Sequence, residues 1–408
     1  AYSCLAVNDA DVTQKCFLHF NDLARDFEKS NPVGFGVNWV NAMEVSIRAI
    51  NLLITSDIFL SLGHVISNNV HDLIQLHLKF VFENLEHKNG IGNNHYLSNL
   101  LALLFGLSYY PEWSELNKKR DWISDEFQLE IRKQFNSDGG NFEGSVYYHK
   151  LSTEMAMWGL ACMLRTNMNI ENETIAKVSK ALSYLDSVCK PSEEISQFGD
   201  NDSGSIISLF PKGMWIEPSD LKLKYSNLEN WKIDESIVFH ENVLNASSIF
   251  ELFNGLKGET ESVESDLISK FAFGKSLEFD SIEETRLDNS NEKVAGFNNI
   301  QKWTVDFDKI SLNGMKVDYF QETGMIILKN DEFYLAMSLL NRNNAHRYRW
   351  HFHNDQLSIE LWVNGNNILT DPGSYTYTGD MDKSNEMRSA KAHNAPYFNQ
   401  EPNPFMPG

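Results

Sequence analysis

The chain has 408 residues, of which 42% are hydrophobic and 22% charged, the make-up of a globular protein too long for one ordinary core. Its 35 Lys+Arg against 56 Asp+Glu leave a formal charge of −21. That field repels polyanions at long range, which argues against a nucleic-acid partner and obliges any acidic sugar to find a local basic patch.

The opening residues, AYSCLAV, hold neither a methionine nor a signal peptide, so the chain reads as a mature or trimmed form. Helices follow. In 41–54 Met43, Ile47, Ile50 and Ile54 recur at helical spacing, with Glu44 and Arg48 one turn apart on a neighbouring stripe. The same period runs through 71–85, 95–107, 125–135, 152–164 and 173–188, separated by polar or Gly-rich connectors such as HKNGIGNN and NSDGGNFEGS. The apolar run 97–110 is too short to span a bilayer, so no stable membrane insertion is expected. Cys4, Cys16, Cys162 and Cys189 form no CxxC pair, which argues against a cysteine zinc site.

Residues 259–266 and 283–293 are charged and poor in large apolar side chains, and suggest a linker or irregular segment over 259–315. From 316 the period changes to two. Residues 317–340 read as strands broken by Gly and Asn-Asp turns, and DQLSIELWV alternates before a hairpin signal at NGNN. The expected organisation is an α-helical domain over 1–258, the segment 259–315, and the start of a β-sandwich over 316–408. A sandwich needs more strands than these, so the chain reads as a fragment.

Potential metal ligands are densest at His351, His353, Asp355, Asp371 and His393. A histidine pair at i, i+2 on an extended segment shares one face, and two ligands from later loops would complete an N/O site. The plain alternative is a set of hydrogen-bonded turn residues, since Asp371 opens Asp-Pro-Gly, a good turn. Asn93, Asn94 and His95 stand at a helix start, where asparagine is also an ordinary cap. Tyr147, Tyr148 and His149 follow a Gly-rich loop, where aromatics commonly pack. FGDNDSG (198–204) is acidic, but lacks the ligand alternation and terminal Glu of an EF-hand.

Taken together, NPVGFGVNWVNAMEVSIRAI (31–50), GNNHYLSNLLAL, GGNFEGSVYYHKLSTEM, FGDNDSG, HFHNDQLSIELWVNGNNILTDPGSYTYTGD and MRSAKAHNAP resemble, in order, the heparinase II/III-like polysaccharide lyases. The resemblance implies an α+β multidomain fold, an incomplete (α/α) toroid followed by an antiparallel β-sandwich. It implies β-elimination on a uronic-acid-containing polysaccharide. Asn94 matches the carboxylate-neutralising asparagine, with His95 beside it as second donor or base. Tyr148 matches the tyrosine that protonates the leaving oxygen and can also serve as base, and His351 matches a cleft histidine. His353, Asp371 and His393 match the ligands of a structural zinc ion; no organic cofactor is implied. Substrate contacts are expected from Arg48, Glu44, Asn38, Tyr147, His149, Arg388 and Arg349, with Arg388 and Arg48 the candidates for substrate carboxylates because guanidinium is a bidentate match. Arg342, His346, Arg347 and Arg349 supply the local basic patch. Details of 31–50 and 198–204 look closer to members encoded beside surface-polysaccharide genes than to the heparin-degrading enzymes, which implies a bacterial capsule, exopolysaccharide or O-antigen uronate as substrate and a periplasmic or secreted location. Two other readings stay open: a glycoside hydrolase using Asp200 and Asp202, and a non-catalytic glycan-binding protein of a polysaccharide export pathway.

Overall fold

The structure is a computed structural model that describes residues 4, 9–87, 92–207, 211–224, 237–280, 314–339, 351–377 and 379–397. Its first helix, α1 (Ala10–Ser30), which the periodic reading passes over, starts at Asp9. The Asp9 carboxylate accepts from the backbone N–H groups of Asp11 and Val12, satisfying donors that a helix start leaves open. Asn41 caps α2 (Ala42–Ser61) in the same way through Met43 N at 2.8 Å. The buried face of α2 runs through Val45, Ala49, Ile50, Leu53 and Ile54, while Met43 and Ile47 are half-buried. The expected stripe is therefore turned, because two helices cover α2.

Those helices are α3 (Asn68–Glu83) and α4 (Asn94–Tyr109). Every residue of α4 from Tyr96 to Leu107 is buried, as expected of a helix that is apolar all round and enclosed by others. It packs against α2, α3 and α5 (Arg120–Gln134). Each fully buried leucine there contributes about 1.5–3 kcal/mol relative to exposure, so α4 is the centre of this unit's core.

Two longer helices follow, α6 (Val146–Arg165) and α7 (Asn172–Val188). Gly159, inside α6, is explained by a close approach. A Cβ at this position would lie 2.0 Å from Cζ of Phe127 on α5, and Phe127 is fully buried. Within 1–258, expected as the α-helical domain, lies an antiparallel ribbon of β1 (Gly213–Ile216) and β2 (Val238–Glu241). Within 259–315, where a linker or irregular segment is expected, there is a helix. α8 (Ser247–Lys257) pairs with α9 (Val263–Phe271), whose start is fixed by a capping box between Ser262 and Ser265. Ile268 of α9 is buried, as are Ile249, Leu252 and Leu256 of α8. A few apolar residues at the right spacing suffice for a short capped helix even when its surroundings are charged.

The chain divides into two compact units. The first comprises Ala1–Gln134, Leu151–Ile175 and Ser203–Phe279, and the second Phe135–Lys150, Ala176–Asp202 and Asp280–Gly408. In the second, β3 (Lys316–Phe320), β4 (Met325–Lys329), β5 (Phe333–Ser338), β6 (Ile359–Val363) and β7 (Asn366–Leu369) form an antiparallel sheet in that order. The NGNN signal is the β6–β7 hairpin. Val363 pairs with Asn366, and Asn364 and Gly365 take φ of 46° and 86°, the left-handed pair that a tight hairpin requires.

The buried side of β6 carries Glu360 and Trp362. Glu360 is an inward charge: its carboxylate meets Lys190 Nζ at 2.9 Å, both side chains at most 1% exposed. It also accepts from the N–H groups of Gln197 and Asp371, each at 3.1 Å. One carboxylate thus fixes the chain at 190–197 and the Asp-Pro-Gly turn against the sheet, and removing either charge of such a pair costs about 3–5 kcal/mol. A short helix, α10 (Met381–Met387), capped by Asp380, follows. Among the described residues no helix is long and apolar enough to cross a membrane.

Candidate active site and metal centre

In the second unit, Ser145 starts α6. Its hydroxyl oxygen accepts from Tyr147 N and Tyr148 N at 3.1 and 3.2 Å and donates to the Asp200 carbonyl at 2.6 Å. That cap sets Tyr148 in the first turn of α6 and ties the turn to the FGDNDSG loop. Two backbone hydrogen bonds complete the frame, Val146 N to Phe198 O at 3.0 Å and Asp200 N to His351 O at 2.9 Å. The second needs Gly199, whose φ is +77° and whose Cβ, if present, would lie 2.5 Å from His351 O.

Inside this frame the Tyr148 ring stacks on His351, centroids 3.5 Å apart and planes 11° from parallel. The Tyr148 hydroxyl donates to Asp202 Oδ2 at 2.6 Å. Burial, then the nearby Asp202 charge and the Tyr377 hydroxyl, push the Tyr148 pKa far above that of free tyrosine. Tyr148 therefore holds its proton at neutral pH. Both ring nitrogens of His351 face carboxylates, Nδ1 to Asp200 Oδ2 at 3.2 Å and Nε2 to Glu143 Oε2 at 3.5 Å. Arg388 Nε lies 3.8 Å from Asp200 Oδ1.

The HFHND segment corrects the strand reading. Residues 351–358 are not in a strand. A turn from Asp355 O to Ser358 N, with Leu357 at φ 63°, delays β6 until Ile359. His351 and His353 nonetheless converge, because Asp200 accepts from both. His353 Nε2 meets Asp200 Oδ1 at 2.9 Å. Burial opposes the Asp200 charge, but the two histidine hydrogen bonds and Arg388 outweigh it and hold this carboxyl well below the usual range. Asp355 accepts from Gly199 N at 3.2 Å, and burial pushes its pKa up to about 6.

His353, Asp371 and His393 present ligand atoms all within 4.8 Å of one another, and all three are buried. His393 Nδ1 lies 2.6 Å from Asp371 Oδ2, and Asp371 Oδ1 accepts from Gly373 N at 3.0 Å. Among the described residues His353 Nδ1 is buried without a hydrogen-bond partner, a costly state for a polar atom unless something else binds it. Two imidazoles and a carboxylate suit zinc or a similar divalent ion, so these residues fit the implied metal.

His149 departs from expectation. Its Nε2 meets Ala181 O at 3.0 Å, Phe135 and Tyr184 pack edge-on to the ring, and burial lowers its pKa to about 3. One helical step from Tyr148 turns the side chain into the core, so it packs rather than contacts substrate. Tyr147 is also buried, with Lys150 Nζ 5.2 Å from its ring. Arg349, with the rest of the expected basic patch, lies outside the described residues.

In the first unit Asn93 caps α4 by accepting from Tyr96 N at 3.4 Å, and Asn94, 1% exposed, is the helix's first residue. His95 Nδ1 meets Glu86 Oε1 at 3.1 Å. Glu86 is itself anchored, Oε2 accepting from Met43 N at 2.8 Å and its own N–H donating to Asn99 Oδ1 at 2.8 Å. Burial works against its charge, but the His95 and backbone contacts prevail and lower its pKa. This is a carboxylate orienting a histidine, the pattern that prepares a base. Arg48 donates to Asn38 O and to His77 Nε2 and lies 4.9 Å from the Phe27 ring centroid. Asn38 also donates to Asn31 Oδ1 at 2.6 Å, and Glu44 is exposed.

The sequence motifs give no lyase role to Asp200, Asp202, Glu143, Tyr377 or Glu86. The first two lie in FGDNDSG, Glu143 in GGNFEGS and Tyr377 in SYTYTG, all stretches that carry the resemblance. Glu86 has no local signal.

The model of the heparinase II/III N-terminus matches residues 6–225, and that of the heparinase II/III-like C-terminal region matches 314–399. Among solved structures, a heparinase III superposes with a TM-score of 0.57 at 16% identity, covering 96% of this chain and 52% of that one. A second heparinase III gives 0.52 at 17%, covering 96% and 53%. A mutant of the heparan sulfate lyase HepC from Pedobacter heparinus gives 0.50 at 17%, covering 96% and 50%. The chain thus spans about half the length of these structures. A comparison with curated proteins found no match.

Proposed function

The chain belongs to the heparinase II/III-like family, and from that footing we propose that it is a polysaccharide lyase cleaving a uronic-acid-containing glycan by β-elimination. The observation that carries this reading is Tyr148, a tyrosine kept protonated by burial and by Asp202 and stacked on His351. A lyase needs such an acid where the glycosidic oxygen departs.

The chemistry sets the remaining roles. The C5 proton of a uronate becomes acidic only when the adjacent carboxylate is neutralised, the task proposed for Asn94. A base takes that proton, the C5–H electrons form the C4–C5 double bond, the C4–O4 bond breaks, and O4 takes the proton of Tyr148. The raised Tyr148 pKa favours the acid role over the base role. Between the candidate bases, His95 is preferred. Glu86 orients its ring through Nδ1, whereas both nitrogens of His351 are turned to carboxylates. Arg388 and Arg48 remain the proposed partners of substrate carboxylates. A zinc ion held by His353, Asp371 and His393 would supply a structural clamp on the three loops that carry them.

The hydrolase reading is disfavoured because Asp200 and Asp202 already serve as acceptors for His351, His353 and Tyr148. A bacterial surface uronate polymer is the proposed substrate, met in the periplasm or outside the cell. The test is a panel of bacterial uronate polysaccharides read by ultraviolet absorbance and product mass. A lyase generates unsaturated uronate ends that absorb; new reducing ends without absorbance would overturn the proposal.

A further inference from the structure

A single carboxylate links the proposed metal centre to the proposed catalytic pair. Asp200 takes His353 Nε2 on Oδ1 at 2.9 Å and His351 Nδ1 on Oδ2 at 3.2 Å. An ionised carboxylate only accepts, so both contacts fix tautomers. His353 carries its proton on Nε2, which makes Nδ1 a lone-pair donor, and Nδ1 is buried with no hydrogen-bond partner among the described residues. His351 carries a proton on Nδ1, with its ring plane set parallel to Tyr148. The sequence of contacts is therefore metal-ligand lone pair, His353, Asp200, His351, Tyr148.

We propose that Asp200 is a positioning residue through which metal binding at His353, Asp371 and His393 orients His351 against Tyr148. Carboxylates that hold the far nitrogen of a metal-bound histidine set its orientation and raise its basicity as a ligand. What is distinctive here is that the other oxygen of the same carboxylate holds a second histidine. A shift of the His353 ring on metal binding is thus passed to His351 through one rigid group. The Asp200 peptide is fixed independently, by its N–H to His351 O and by Ser145 Oγ on its carbonyl, so the side chain can be changed while the loop is retained. The catalytic half of the inference rests on the lyase reading; the coupling half does not.

The test uses the full chain, zinc ion as probe, and Asp200→Asn, whose amide keeps the shape but offers one acceptor where two are needed. Zinc affinity is measured by competition with a chromogenic chelator. The imidazole N–H of His351 is followed by nitrogen-15 NMR on histidine-labelled protein and identified through His351→Gln. The expected result is a zinc affinity about 10–100-fold weaker in Asp200→Asn. Zinc should also shift the His351 signal in the unaltered protein and leave it in place in the variant, and at saturating zinc the variant should lose kcat with KM little changed. Failure of the unaltered protein to bind zinc, equal affinities, or a His351 signal indifferent to zinc would each overturn the proposal. Neither binding readout depends on turnover. Coupling without cleavage of any uronate polymer sinks the lyase reading alone, and cleavage with a zinc-indifferent His351 sinks the coupling alone.

Discussion

Tyr148 keeps its proton because burial and the neighbouring Asp202 carboxylate both oppose a phenolate. The groups facing it are Asp202, Tyr377 and the stacked His351, itself between Asp200 and Glu143. Replacing Asp202 by Asn removes a negative charge and so lowers the Tyr148 pKa. If Tyr148 is the acid, the alkaline limb of the kcat profile moves to lower pH in Asp202→Asn, and Tyr148→Phe loses about 10²–10⁴ in kcat. An unmoved or raised alkaline limb would remove Tyr148 from that role. At this scale the motifs named Tyr148 and the set His353, Asp371 and His393, because each lies in a short distinctive stretch. They did not pair Asp200 with His351 and His353, since about 150 positions of chain separate the partners and neither end encodes the other. Nor could they show that His149 faces inward, which depends on which side of α6 is covered.

At the scale of elements, two features make measurable claims. Helix propensity alone says Gly159→Ala should stabilise α6 by about 1 kcal/mol. The Phe127 ring says otherwise, since a Cβ would sit 2.0 Å from Cζ and overpacking costs about 1–3 kcal/mol. Gly159→Ala should therefore lower the denaturation midpoint, and Phe127→Leu in the same chain should recover part of the loss. The second feature is His77 of α3, whose Nδ1 meets Leu73 O at 2.8 Å and whose Nε2 accepts from Arg48. Burial lowers its pKa to about 4. Between the free value of about 6.5 and about 4 the unfolded chain binds more protons than the folded one. The contribution is thus complete above about pH 6.5 and falls as pH drops, by up to about 3 kcal/mol. Melting temperature followed over that range should fall in the unaltered protein and fall less in His77→Gln; equal slopes would exclude His77 as a source of acid sensitivity.

Periodicity found α4 and α7 to within a few residues and the β6–β7 hairpin at its turn, because those patterns are local. The ribbon β1–β2 and helix α9 escaped it. One depends on pairing across more than twenty positions, and the other is a short helix in a charged stretch. HFHND misled for a physical reason: the alternation begins at Leu357, inside the turn Asp355–Ser358 and two residues before β6, so the pattern starts where the strand does not. Glu360 is a further case. It reads as the outward residue of an alternating strand, yet Lys190, far off in sequence, makes an inward charge tolerable.

For the molecule as a whole, family membership and the helix-then-sheet order agree, and the charge of −21 now has a local counterpart to explain. Among the described residues the catalytic candidates of the second unit are themselves ringed by Asp200, Asp202 and Glu143, with Arg388 on Asp200. The long-range field therefore opposes an acidic polymer, so KM should fall as added salt screens that repulsion; a KM that rises with ionic strength would show that local cations outweigh it. The central claim is elimination, and one measurement meets it directly: digestion of a cleaved uronate polymer in water enriched in oxygen-18, with the new ends weighed by mass spectrometry. Elimination predicts no label in the products and an unsaturated end lighter by one water than a hydrolytic end. Oxygen-18 incorporated at the new reducing sugar, with saturated uronate on the other side of the cut, would contradict it.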